Sequence, residues 1–468
     1  MADTTCKLIF GYDYVFPNFF VPNALWPELF HLNYMYSQHV ATRSDQALTS
    51  PNMETDYLKI HQFLFRNQKG HWPNSTNHSN ILANSYYKKV KIIEKSVYDC
   101  KRHNEKYIYP IKMSPHIEDF SGYDLNTKLS GEFFWKYISK QVLEDVQNRK
   151  CVIFLDYGQE NFIDKLTYEK LHNSLRGCNI PADQIVLGFN TFNGKSLYEK
   201  WFAPERQRLK VFNFPFVICQ SSFTYSTKPV NDVRKLKKVQ RKYYFLFKVR
   251  SPRQHRLFFL AAFTTKNLLH KIDWSCLNPN VFDVGTLSWM ADKFNTQLNH
   301  DKILALHKIL PKNLHYEPRS TVDSVADWPN EAPISYNQSY IYICSETFTH
   351  GEHKSLTEKV FKPIAHFMPF IFIAFPGALK MLHKLGFKTF HPYINESYDS
   401  IENESHRFRA ILNEIERLAA LPIDEIEKMY WSMYEIYEHN YKVLINFNDS
   451  EKLNLEMLNF LQSKIENT

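Results

Sequence analysis

Two clusters of charged and hydroxyl residues follow apolar runs, and both suit an anionic ligand. In the first, Ser345-Glu346-Thr347 closes the apolar run Tyr340–Cys344, and after a polar loop Thr357-Glu358-Lys359 opens a helical pattern through Val360, Phe361, Lys362 and Ile364. Thr357 is a natural N-cap. The N–H groups of the first turn that it caps favour negative charge, and Lys359 adds a cation there. The second cluster is Arg250-Ser251-Pro252-Arg253-Gln254-His255-Arg256, between the apolar run Tyr243–Val249 and the apolar stretch Leu257–Phe263. The planar guanidinium fork grips two phosphate oxygens at once. Together the clusters predict a phosphate or diphosphate site at which Arg250, Arg253, Arg256, Thr357 and Lys359 are candidates. Either cluster is also compatible with a solvated basic surface.

The elements that position these residues follow from the pattern. Tyr340–Cys344 predicts a buried strand, Phe367–Phe375 a second, Ala378–Leu385 a short helix capped by Gly386, and Phe387–Phe390 a third strand. Strand–helix–strand crossovers this short imply a parallel sheet, which binds ligands at the carboxyl ends of its strands. Tyr398 and Asp399 fall near that edge by connectivity, as donor contacts or as loop caps.

Tyr340–Glu346 followed by Leu356-Thr357-Glu358-Lys359-Val360-Phe361 resembles the donor-site signature of the α-1,3-fucosyltransferase-like glycosyltransferases. That family carries Phe-x-Glu-Asn at the strand end and Val-Thr-Glu-Lys at the helix start. This chain keeps Glu346 and the Thr-Glu-Lys and has Thr347 in place of the Asn. The resemblance covers about 30 residues here, as a short motif match does. It implies that Glu358 holds the donor ribose or sugar and Lys359 its diphosphate. The family also opens its donor domain with a strand, a turn and an Arg leading a helix, and Arg256 matches that Arg best. The implied fold is α/β, with two Rossmann-like domains facing a cleft in the GT-B manner and helices at the C-terminal end. The implied donor is a nucleotide sugar, with GDP-fucose and inversion as the default.

Sugar transfer with inversion needs a stabilised leaving group and a base for the acceptor hydroxyl. Arg256 and Lys359 could stabilise a diphosphate without a metal, and the sequence contains no Asp-x-Asp triplet. A second apolar run, Cys151–Leu155, ends in Asp156-Tyr157-Gly158-Gln159-Glu160-Asn161. The family carries Gly-Glu-Asn after a strand with its proposed base, which makes Glu160 the first candidate and Asp156 the reserve. Glu160-Asn161 also serves as the plain start of a helix over Phe162–Leu175, and both readings stand.

Composition bounds the rest. A chain of 468 residues is long for one core and predicts at least two domains. The expected division is an acceptor-side domain over 1–235 with a polar insertion around 40–115, a nucleotide-sugar domain over 236–400, and helices over 401–468 packing across both. The basic segment Lys228–Lys242 is the expected linker. The 12 glycines form neither Gly-x-Gly-x-x-Gly nor Gly-x-x-x-x-Gly-Lys, which argues against a dehydrogenase, kinase or ATPase. Seven scattered cysteines without a Cys-x-x-Cys pair predict reduced thiols in a cytoplasm and no structural zinc. His61, His71 and His78 lack metal-ligand spacing, so no metal site is expected. No long apolar run predicts a membrane span, although a peripheral place at an inner membrane face fits the basic charge. The expected partners are a nucleotide sugar and a glycan or other hydroxyl-bearing acceptor, with no cofactor. The formal charge of +8 keeps a nucleic-acid binder open, including an enzyme that glycosylates DNA bases, and a non-catalytic nucleotide- or glycan-binding protein is the other alternative.

Overall fold

A computed structural model describes residues 6–12, 90–112, 140–157, 165–202, 208–213, isolated positions between 217 and 225, 240–249, 252–277, 281–312, 333–352, 354–447 and 459–465. The chain divides into two compact units, one of residues 1–223, 321–326 and 448–468 and the other of residues 224–320 and 327–447. The helices over 404–445 therefore belong to the second unit. Both units are α/β and Rossmann-like. The Arg250 loop, Glu160, most of the expected linker, the histidines 61, 71 and 78 and most of the polar insertion lie outside the described residues.

In the first unit the described strands are β1 (Cys6–Tyr12), β2 (Val90–Ser96), β3 (Tyr107–Lys112), β4 (Cys151–Tyr157), β5 (Ile185–Phe189) and β6 (Lys210–Asn213). They form one parallel sheet in the order β2-β1-β3-β4-β5-β6. Helices α1 (Val97–Arg102), α2 (Lys140–Gln147), α3 (Lys165–Gly177) and α4 (Gly194–Trp201) make the crossovers. Every residue of β5 is buried, as a central parallel strand requires. Pairing of β6 with β5 ends at Asn213. Asn213 instead braces the turn into α4, accepting from Lys195 N (3.0 Å) and donating to Phe192 O (3.1 Å).

The second unit holds β7 (Tyr243–Val249), β8 (Ile272–Cys276), β9 (Ser339–Ser345) and β10 (Phe370–Ile373), parallel in the order β10-β9-β7-β8. The chain passes from β7 outward to β8, then returns to β9 and runs outward to β10. The winding direction therefore reverses between β7 and β9, and this topological switch point is where such sheets take ligands. Helix α5 (Gln254–Thr265) follows β7. Helices α6 (Val284–Lys293), α7 (His300–His307) and α8 (Pro333–Gln338) precede β9, and α9 (Glu358–Ala365) links β9 to β10. After β10 come α10 (Ala378–Lys384), α11 (Glu404–Ala420), α12 (Ile423–Ser432) and α13 (Tyr434–Ile445).

Helix α5 is apolar around its circumference, and His255 through Thr264 are all buried. Such a helix must be enclosed on every side. Phe408 of α11 supplies one wall, with ring centroids 5.2 Å from Phe259 and 6.0 Å from Phe258. One sequence expectation is corrected here. Among the described residues Phe387–Phe390 forms no strand; Phe390 N donates to Glu396 Oε1 (2.6 Å), so a side chain takes the place of a ladder partner. Helix α12 ends at a C-cap on Met433 and α13 starts after it.

Candidate functional site

The carboxyl ends of β7 and β9 bring the two charged clusters of the sequence to one place. Glu346 follows β9 directly, is 1% exposed, and extends the ladder by donating its N–H to Ile373 O (2.9 Å). Its carboxylate accepts from Thr357 N (2.9 Å), Thr357 Oγ1 (2.6 Å) and Thr347 N (3.2 Å). Burial pushes the Glu346 carboxyl above the usual carboxylate range, while Lys359 and the two Thr357 donors pull it back. The three donors need lone pairs on both oxygens, which suits the ionised form.

Thr357 is the N-cap of α9, in extended backbone with φ −108° and its side chain accepting from Lys359 N (3.4 Å). Lys359 Nζ donates to Thr347 Oγ1 (3.2 Å), Thr357 Oγ1 (3.2 Å) and Glu358 Oε1 (2.9 Å). Glu346, Thr347, Thr357, Glu358 and Lys359 are thus one connected polar cluster under the first turn of α9. That turn carries N–H groups with no acceptor in their own helix, the feature that binds phosphate.

The arginines of the other cluster separate by burial. Arg256 is 4% exposed, and its Nη2 donates to Ser345 O (3.2 Å) and Glu346 O (3.1 Å). These carbonyls lie where the β9 ladder stops, so they need donors from outside the sheet. His255 supplies another: its Nε2 lies 2.9 Å from Glu346 O and donates to it, since a carbonyl can only accept. Arg253 is half-buried at the N-cap of α5, its guanidinium 5.2 Å from the ring centroid of Phe348 on the loop after β9. Of the two described arginines, Arg253 is the more accessible to a ligand.

The sequence placed His255 in the arginine cluster without a role of its own, and did not single out Arg407. The signal for His255 was available: the helix it opens is apolar all round, so its first turn must be buried as well. Arg407 of α11 is 1% exposed and donates to four carbonyls, Thr349 O (2.5 Å), Ala374 O (3.1 Å), Ile401 O (2.7 Å) and Glu402 O (3.0 Å). It ties the loop after β9 and the end of β10 to the segment that enters α11. No one-dimensional spacing announces such a residue. Tyr398 and Asp399 act as structural braces. Tyr398 OH accepts from Phe372 N (3.1 Å), and the Asp399 carboxylate accepts from Leu379 N (2.9 Å) and Lys380 N (3.1 Å) at the start of α10.

In the first unit, Asp156 lies near the carboxyl end of β4, in register with Lys112 of β3 and Gly188 of β5. Among the described residues no cluster of His, Cys, Asp or Glu has the makings of a metal site, and no helix is long and apolar enough to cross a membrane.

No protein-family model matches the sequence, and no curated protein matches it. Solved structures with a similar chain path include an α,α-trehalose-phosphate synthase (UDP-forming) from Burkholderia xenovorans in complex with glucose-6-phosphate. It is 10% identical, with 80% of this chain and 87% of that chain covered and a TM-score of 0.37. An α,α-trehalose 6-phosphate synthase from Burkholderia multivorans is 10% identical over 92% of this chain and 83% of its own, with a TM-score of 0.37. The N-terminal domain of trehalose-6-phosphate phosphatase from Candida albicans is 10% identical over 97% and 96%, with a TM-score of 0.38. Likeness at this level is loose, and the reading of the site rests on its own geometry.

The electrostatics of His255 make a prediction about acid stability. Burial, then the charges of Arg256, Arg253 and His350, lower its pKa to about 3, against the pull of the Glu346 carbonyl. The folded state therefore keeps His255 neutral, whereas the unfolded chain protonates it below about 6.5. Stability from this group is complete above that pH and is lost as pH falls toward 3, by up to about 1.4 kcal/mol per pH unit. Urea denaturation between pH 7 and pH 4 should show this loss, and His255→Gln should flatten it.

Proposed function

We propose that this protein is a glycosyltransferase that moves a sugar from a nucleoside-diphosphate donor to an acceptor hydroxyl. The observation that carries the reading is the polar cluster at the switch point, where Glu346, Thr357 and Lys359 meet at the N-terminus of α9. The Thr-Glu-Lys resemblance to the fucosyltransferase-like family supports the same assignment, and makes GDP-fucose the default donor and inversion the default stereochemistry.

In this reading the diphosphate sits against the first turn of α9 with Lys359 and Arg253 facing its oxygens. Glu358 holds ribose or sugar hydroxyls. The acceptor oxygen forms the new bond to the anomeric carbon as the bond from that carbon to the diphosphate breaks, and the negative charge passes to the diphosphate. Cationic side chains and helix N–H groups stabilise that charge without proton transfer to the leaving group. The acceptor's proton goes to a general base, for which Glu160 is the first candidate and Asp156 the reserve.

Release of GDP from GDP-fucose, and of UDP from UDP-glucose, in the presence of a panel of glycan acceptors tests the activity. Glu160→Gln is expected to lower kcat by about 10²-fold or more, as loss of a general base does, with donor affinity unchanged. Unchanged kcat in that variant moves the role to Asp156. Nucleotide binding with no turnover on any acceptor would instead favour a binding protein.

A further inference from the structure

We infer that His255 is a positioning residue of the donor site, acting across the switch point on the peptide that joins Glu346 to Thr347. This rests on the nucleoside-diphosphate reading of the site and gives His255, which lies within the Arg250–Arg256 cluster, a role of its own.

A peptide unit is planar, so fixing its two polar ends fixes the direction of both flanking residues. The carbonyl end of the 346–347 peptide is Glu346 O, held by His255 Nε2 at 2.9 Å and by Arg256 Nη2 at 3.1 Å. The amide end is Thr347 N, held by the Glu346 carboxylate at 3.2 Å. From this plane the order of contacts runs outward. The Glu346 carboxylate holds Thr357 through its N and Oγ1, and Thr347 Oγ1 and Thr357 Oγ1 each accept from Lys359 Nζ at 3.2 Å. The ammonium assigned to the diphosphate is therefore aimed by groups whose common anchor is the 346–347 peptide.

His255 suits the task for a chemical reason. A cation would add charge beside Arg256 in a region where His255 is only 6% exposed, whereas a neutral imidazole donates one directed bond without that cost. The side chain is also short and stiff. It starts from the first turn of an enclosed helix and is buried there.

The test compares affinity with stability in the full chain, using GDP and UDP as probes. Isothermal titration calorimetry and thermal unfolding are measured for the wild type, His255→Leu, His255→Gln and Lys359→Ala. Leu fills the space without a donor, and Gln restores an N–H at similar reach. His255→Leu should bind the nucleotide about tenfold more weakly, the size of one buried hydrogen bond left unmade, and His255→Gln should recover most of the loss. Lys359→Ala should lose at least as much. If His255→Leu binds as the wild type does while Lys359→Ala does not, the inference fails and the diphosphate reading stands. Equal weakening in Leu and Gln variants makes His255 a packing residue and also overturns it. A wild type that binds neither nucleotide overturns both. Should His255→Leu fail to fold, Arg256→Gln carries the same comparison, because it removes the second donor to Glu346 O; undiminished affinity there would refute the anchor.

Discussion

Lys359→Ala should weaken nucleoside-diphosphate binding by about 10- to 100-fold or more, with a smaller fall in the thermal midpoint from the loss of the cation beside buried Glu346. A hydrogen bond to a charged group contributes about 1.5–3 kcal/mol, and each 1.4 kcal/mol is a factor of ten in affinity. Lys359 Nζ bonds two hydroxyls and the Glu358 carboxylate. The pair with Glu358 joins neighbours in sequence whose side chains are 19% and 14% exposed. Thr357 keeps its cap and its bonds to Glu346 without the lysine, so α9 should still form. Calorimetric titration of the variant, alongside its melting curve, separates the two quantities. A lost fold with the lost binding would mean that Lys359 holds the turn and not the ligand.

The second large effect is on stability. Arg407→Leu should destabilise the second unit by about 1–3 kcal/mol or more, the cost of leaving buried acceptors without their donor. The substitution leaves four carbonyls from three segments without the donors that Arg407 provides. Leucine fills part of the volume but none of the hydrogen-bonding need, and unsatisfied buried carbonyls are costly. Because Thr349 O is one of them, the loop after β9 should loosen, and nucleotide affinity should fall together with the urea midpoint. An Arg407→Leu protein with an unaltered midpoint would show that the four contacts are replaced by water at little cost.

The two substitutions divide the site into a part proposed to face ligand and a part that holds the first in place. The ligand-facing part was legible in the sequence. Thr357 reads as a cap from its position before an apolar helical pattern, and β7 matches its apolar run residue for residue. The holding part was much less legible. Strand order is a property of the sheet, so the reversal between β7 and β9 is invisible until pairing is known. Arg256 reads as a phosphate ligand because guanidinium and phosphate match so well, yet in the structure it serves the carbonyls of Ser345 and Glu346. Phe387–Phe390 has strand composition but no neighbour to pair with, because the described sheet ends at β10. For the strand order and for Arg256 the missing information was a contact distant in sequence.

The central claim is that the edge shared by β7 and β9 binds a nucleoside diphosphate. Thermal unfolding of the purified protein with GDP, UDP, CMP, ADP and their sugars tests it most directly. A ligand at about 100 times its dissociation constant stabilises the native state by about 2.7 kcal/mol, a shift well above the precision of a melting curve. The account predicts a selective rise with one nucleoside diphosphate and its sugar, absent in Lys359→Ala. A melting temperature unmoved by every nucleoside diphosphate, or moved equally in Lys359→Ala, would contradict it.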